Sequence, residues 1–246
     1  MQNLIQKEWD GPQGTHANFV FRPGTADENT INATFLEDEY HFVNFPPSEG
    51  EGMIDAGGYI GSTAILYAKL YPFCKVACIE PLPENLEIIR QNIDRNGLTN
   101  QIILIAGALW GTSEGKTKIY YRDASTVGKV HKFVGSAVKQ YHETVSEDFA
   151  EAQNITLMDV MAMMNFQCVR LLKMDVEGAE YEAFKGLTEE YQKKIKTIVG
   201  EYHNIFPGRV DDPRTQLYQP LKNVFEDRSE SSETKTWGSF LFERKP

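Results

Sequence analysis

The sequence predicts an α/β fold: an open, mostly parallel sheet with helices on both faces and an antiparallel edge. Three observations predict it. From residue 52 onward, apolar stretches of strand length alternate with stretches of helix length. The first such strand runs into a glycine turn, MIDAGGYIGSTA at residues 53–64, as a strand does when it passes to a helix beside a nucleotide-like ligand. Near the end, KNVFED and SFLFERK follow one another closely, which suits an antiparallel addition at one edge.

Residues 1–50 read as an irregular N-terminal extension packed on the core, broken at Gly11-Pro12, Pro23-Gly24 and Pro46-Pro47. TADENTINATFLEDEYHF can hold one or two short helices, the first capped by Thr25 or Asp27. Residues 51–246 read as one further domain. In it, residues 52–55 predict a short strand, 61–70 a helix stopped near Pro72, and 75–80 a second strand. Residues 83–96 predict an amphipathic helix, with Pro83 in its first turn, Leu86, Ile89 and Ile93 on one face, and Gly97 at its end. Residues 101–105 are the third strand, and GTSEGKTKIYYRD is a turn leading to a short strand. A helix follows at 157–164, a strand at 169–174, a helix at 178–187 and a strand at 195–203. Residues 122–154 fit neither period and read as a candidate lid or binding loop, in which His131 and His142 are candidate substrate contacts.

Composition narrows the function. Hydrophobic residues make up 41% of the 246, enough for a sizeable core. A formal net charge of −10 argues against nucleic acid as a partner, since its binders present a basic face. Cys74, Cys78 and Cys168 are too few and too irregularly spaced for a disulfide framework, and read as apolar packing in a reducing compartment. No apolar run approaches the roughly 18 residues of a membrane span. The first residues lack the charged start and apolar centre of a signal peptide. The expected location is therefore the cytoplasm, with no membrane partner; nothing in the sequence sets an oligomeric state.

The glycine turn has two candidate ligands. A nicotinamide site would read G-x-G-x-x-G, and with Gly58 and Gly61 in place the first position is Ala56. Sites for S-adenosyl-L-methionine resemble D-x-G-x-x-x-G, which Asp55, Gly57 and Gly61 fit fully. The chemistry differs accordingly. A dinucleotide brings a pyrophosphate that needs helix-terminus amides, whereas a sulfonium and an ammonium favour an acid such as Asp55 near the turn. Glu80 ends the second strand about 20 residues on, where an acid can bind ribose hydroxyls in either case. Pro81 adjoins it. Ala108 and Leu109, after the third strand, suit an adenine ring.

A second strand-to-helix turn, LLKMDVEGAEYEAFKGL at residues 171–187, is the most distinctive stretch. Glu180 falls in the first helical turn, where an acid meets the helix dipole. Asp175 and Glu177 come earlier, at the strand end, where they can face the crevice. TIVGEYHN adds Glu201 and His203 on one face of the neighbouring strand. The cluster reads as a general base, Glu201 or His203, for a hydroxyl nucleophile. Oxygen ligands with one imidazole could also take a divalent metal; the reading adopted here has none.

On MIDAGGYIGSTA, VACIEPLPENLEIIRQNI, LLKMDVEGAEYEAFKGL, TIVGEYHN and the closing GSFLFERK, the chain resembles the FkbM-type S-adenosylmethionine-dependent methyltransferases from about residue 20 to its end. That resemblance implies a seven-stranded class I methyltransferase fold and O-methylation of a sugar or small natural product. Carried over, Asp55, Gly57 and Gly61 resemble the turn that holds the methionine moiety and Glu80 the ribose ligand; Gly58, Tyr59, Pro81, Ala108 and Leu109 complete the expected cofactor contacts. Asp175 would stand beside the transferred methyl and orient the acceptor. The chain departs from the family at Gly58-Tyr59, where many relatives have Ala-Asn; Tyr59 narrows the pocket. The competing expectations are a nicotinamide oxidoreductase and an inactive cofactor-binding module.

Overall fold

The structure, a computed structural model, describes residues 4–124, 129–136, 145–203, 213–230 and 237–246. It opens on an antiparallel hairpin, β1 (Ile5–Asp10) and β2 (His16–Phe21), followed by α1 (Asp27–Phe35). The sequence reading had this segment irregular. The difference has a plain cause: β1 buries only Trp9, so it shows no alternation. Its register comes from the ladder with β2 and from the edge-on packing of Trp9 against Phe19 and Phe21. Thr25 accepts the Asp27 N–H at the start of α1, while the Asp27 carboxylate bonds elsewhere.

β3 (Glu51–Ala56), α2 (Ser62–Leu70), β4 (Lys75–Glu80), α3 (Pro83–Arg95) and β5 (Ile102–Ala106) follow close to their expected positions. A second sheet comes next. It is built of β6 (Ala108–Leu109), β7 (Lys116–Ala124), β8 (Lys129–Ser136) and β9 (Val145–Ile155), in the order β6-β9-β7-β8. The stretch 122–154, which fits no period in the sequence, therefore contains strands. Late in β9 the buried residues are Ala152 and Asn154, one small and one polar, so the pattern carries no apolar period. Residues 125–128 and 137–144, with His142, lie outside the described residues, as does the side chain of His131.

The chain then runs through α4 (Leu157–Met163), β10 (Cys168–Met174), α5 (Glu180–Gly186), α6 (Glu189–Gln192), β11 (Ile195–His203), α7 (Pro213–Tyr218), β12 (Phe225–Asp227) and β13 (Trp237–Arg244). The main sheet has seven strands in the order β12-β13-β11-β10-β3-β4-β5. Its central strands are parallel, and β13 and β12 add an antiparallel edge. Alternation along the strands divides the core. Met53, Leu171 and Val199 pack with the hairpin, α1, α2 and α3, while Ile54, Leu172 and Ile198 pack with α4, α5 and α7. No helix among the described residues is long and apolar enough to cross a membrane.

One side chain ties the hairpin to the glycine turn. Asn92, fully buried on α3, accepts from Val20 N–H at 2.8 Å and donates to Val20 O at 3.2 Å and Ile60 O at 2.9 Å. Asn92→Ala strands these backbone groups in the interior, and should lower the unfolding free energy by about 2–4 kcal/mol. Urea unfolding, with an unchanged m-value, reads this directly. A loss below about 0.5 kcal/mol, the scale of an ordinary surface change, would mean that the hairpin is held without it.

Candidate active site

Two strand-to-helix turns meet between β3 and β10, where the strand order reverses. Crevices at such points are where open α/β sheets bind ligands. Gly57 has φ +85°, and a Cβ on it would lie 1.8 Å from the Asp175 carbonyl oxygen. Only glycine lets the two turns approach this closely. The contact is closed by a hydrogen bond from Asp175 N–H to Ala56 O at 3.0 Å. Tyr59, at φ +51°, is a left-handed residue with a full side chain, an uncommon state that needs outside support.

Gly57, Gly58, Tyr59, Glu80 and Pro81 line one cleft beyond these turns. Ala108 and Leu109 line it from beyond β5, joined by Ile119 of β7, and Asp175 and Glu177 come from the second turn. The apolar wall at 108–109 and the acid at 80 thus share one cavity with the acidic turn. Gly61 does not reach the cleft; it starts α2 at φ +88°, beside Ile89.

Asp55 also lies below the cleft, fully buried, rather than in its wall. Its partner is Lys173, whose Nζ stands 3.4 Å from Asp55 Oδ1 and donates to Gly57 O at 2.8 Å. The same Nζ is 3.9 Å from Asp175 Oδ2. Burial alone would lower the Lys173 pKa, but Asp55, Asp175 and Glu39 outweigh it and raise it, so the ammonium stays charged. Burial raises the Asp55 carboxyl, and Lys173 opposes that rise.

Glu80 accepts three hydrogen bonds: from Tyr59 N–H at 2.9 Å, Leu82 N–H at 3.0 Å and Asn85 Nδ2 at 3.0 Å. Burial nevertheless pushes its carboxyl up to about 7. Among the described residues no cation is hydrogen-bonded to it directly, and it is a rigidly held acceptor for hydroxyl donors.

The acids of the second turn gather around His203. Glu180 accepts from Val176 N–H, Gly178 N–H and His203 Nδ1, at 3.1, 2.9 and 3.1 Å, and so shapes the turn as well as meeting the helix start. His203 Nε2 faces Glu177 at 3.4 Å and Glu201 at 3.9 Å. Burial would lower the His203 pKa, but Glu180, Glu177 and Asp175 raise it to about 10. At neutral pH the ring is therefore an imidazolium that bridges carboxylates and has no free electron pair to take a proton. Glu201 is lifted to about 7 by burial and by Asp175, against the pull of His203. Asp175, Glu177 and His203 can each bring one ligand atom within 4.8 Å of the others.

The sequence reading missed the roof and one floor residue. The N-terminal segment lines the cleft with Ala26, Thr30, Glu39 and Tyr40, and the Tyr40 hydroxyl donates to Asp175 Oδ2 at 3.4 Å. No local pattern reveals this, because the approach is set by packing more than a hundred residues away in sequence. Lys173 did leave a signal: a lysine inside the apolar strand VRLLKM must find a partner once buried.

Comparison with known proteins bears on family and fold. The family described as methyltransferase FkbM domain matches residues 55–228. Methyltransferase sdnD of Sordaria araneosa is 26% identical over 187 residues, covering 68% of this chain and 71% of that protein. The 31-O-demethyl-FK506 methyltransferase FkbM of Streptomyces tacrolimicus is 23% identical over 186 residues, covering 67% and 69%. Among solved structures, one described as a SAM-dependent methyltransferase from Streptococcus mutans superposes with a TM-score of 0.52 at 8% identity, over 99% of this chain and 56% of that one. It shares the fold.

The Lys173 site yields a stability test. Lys173→Met leaves Asp55 buried without its cation and should cost about 3–5 kcal/mol. Asp55→Asn in the same background removes the stranded charge and should recover part of that loss in chemical denaturation. A single-variant loss under about 1 kcal/mol, the scale of an exposed pair, would show that the pair does not hold the floor.

Proposed function

The chain belongs to the FkbM methyltransferase family, and from that premise we propose that it is an S-adenosylmethionine-dependent O-methyltransferase acting on a hydroxyl of a sugar or small natural product. The observation that carries this reading is the single cleft that joins the ribose-type acid Glu80, the apolar wall Ala108–Leu109 and the acidic turn at Asp175. The donor set fits the cofactor: a buried acid for ribose hydroxyls, apolar walls for a base, and carboxylates where positive charge must be held. The Streptomyces relative is named for a 31-O-demethyl-FK506 acceptor, which supports an oxygen acceptor here.

When bound, S-adenosylmethionine supplies a methyl carbon made electrophilic by its sulfonium. The chain's own part is positioning and proton removal. Asp175, held by Tyr40 and near Lys173, orients the acceptor hydroxyl. Glu201, which stands outside the cleft lining beside His203 and Glu177, takes the proton; a base poised near the working pH is the effective kind. His203 holds Glu180 and Glu177 and keeps its own proton.

Two expectations test this. Calorimetry should show binding of S-adenosylmethionine and of its demethylated product, weakened in Glu80→Ala by about 1.5–3 kcal/mol, the scale of a lost charged hydrogen bond. Unchanged affinity would remove Glu80 from the site. With an acceptor found by transfer of labelled methyl to a panel of sugars and hydroxylated products, kcat/KM should rise with pH through about 7, because Glu201 holds a proton below that value and accepts one above it. Glu201→Gln should lose about 10²–10⁴ in turnover together with that acid limb, while still binding cofactor. Turnover should persist in a chelator. Loss there, with recovery in magnesium or manganese, would replace the base by a metal.

A further inference from the structure

A closed hydrogen-bonded circuit runs behind the ribose-type acid, and two of its five residues come from the N-terminal segment, before the span that the family matches at residue 55. Arg22 and Asp27 are both buried, at 3% and 0% exposure. The guanidinium grips the carboxylate twice, Nε to Oδ2 at 2.8 Å and Nη2 to Oδ1 at 2.9 Å. Arg22 Nη1 donates to Asn85 Oδ1 at 2.9 Å, and Asn85 Nδ2 donates to Glu80 Oε1 at 3.0 Å. On the other side, the Tyr59 hydroxyl donates to Asp27 Oδ1 at 2.6 Å, and Tyr59 N–H donates to Glu80 Oε2 at 2.9 Å. The Arg22 guanidinium also covers the Tyr59 ring, 5.4 Å from its centroid.

We propose that Arg22, Asp27 and Tyr59 are positioning residues for the cofactor ribose: through Asn85 on one side and the Tyr59 amide on the other, they fix the orientation of the Glu80 carboxylate. The proposal rests on the reading of Glu80 as the ribose ligand. Three features favour positioning over simple packing. First, the circuit reaches both Glu80 oxygens, one through each arm, so rotation of the carboxyl breaks a bond on either side. Second, the cation is kept one residue away. Asp27 neutralises Arg22, and Asn85 passes on the geometry without the charge. A carboxylate has about four acceptor positions, and three donors leave one for a hydroxyl; a bidentate arginine in their place would use Glu80 up. Third, Tyr59 is the left-handed residue of the glycine turn, and its hydroxyl is tied to Asp27, which holds that backbone in an otherwise sparsely populated state.

The test is ribose discrimination: calorimetric affinities for S-adenosylhomocysteine and for its 2′,3′-dideoxyribose analogue. The wild type should prefer the parent by about 10–150-fold, one charged hydrogen bond. Tyr59→Phe and Asp27→Asn should reduce that ratio by about tenfold or more, with affinity for the analogue kept. Tyr59→Phe deletes one hydroxyl and serves if Asp27→Asn does not fold. Phe225→Leu, a destabilising change in the edge strand β12, should leave the ratio alone. A ratio that collapses in Glu80→Ala but holds in folded circuit variants overturns the proposal alone. Equal loss for both ligands in those variants also overturns it. No preference in the wild type, and no effect of Glu80→Ala, overturns the ribose reading and this proposal with it.

Discussion

One buried cation holds the cleft together. Lys173 lies near the end of an otherwise apolar strand, donates to the Gly57 carbonyl, and stands close to Asp55 below and Asp175 beside it. Taking an ammonium out of water is costly, and the cost is offset only where partners converge. Here they come from both strand-to-helix turns. The charge that stabilises the ammonium therefore also fixes the distance between the turns. The Gly57–Asp175 approach, too close for any Cβ, is the steric side of the same constraint.

The electrostatics of the second turn follow. Glu180, Glu177, Asp175 and Glu201 crowd one imidazole, and the ring answers by keeping its proton. A protonated His203 can orient carboxylates but offers no lone pair, whereas Glu201 is lifted toward neutrality by its own environment. The two groups were interchangeable candidates when only their shared strand face was known. Burial and partner count separate them.

What was legible in the sequence tracks how local its cause is. The strands around residues 53, 78 and 171 are apolar runs bounded by turns, and α3 carries its own start, face and stop; all were readable. The glycine turn and Glu80 were readable because their spacing follows from strand and helix geometry. The β1–β2 hairpin was not, because Trp9 is the sole buried residue of β1. Asp55 matched the motif yet faces a buried lysine rather than the cleft, since a sequence pattern gives position along a strand but not which side the partner occupies. The links from Arg22 to Asn85 and from Tyr40 to Asp175 were silent for a further reason: they span 63 and 135 residues.

Those separations bear on how the molecule is made. Arg22, Asp27 and Tyr40 leave the ribosome before Asn85, and well before Lys173 and Asp175. Loop-closure entropy must be met before contacts this distant are gained. Until β10 has been synthesised, Tyr40 has no carboxylate to meet and the cleft has no second turn. The segment that roofs the pocket is thus translated well before the second turn that completes the cleft. During that interval Trp9, Phe19 and Phe35 can already pack against α2 and α3, while Tyr40 waits for Asp175, so nascent chains arrested before β10 offer a chaperone an unfinished cleft.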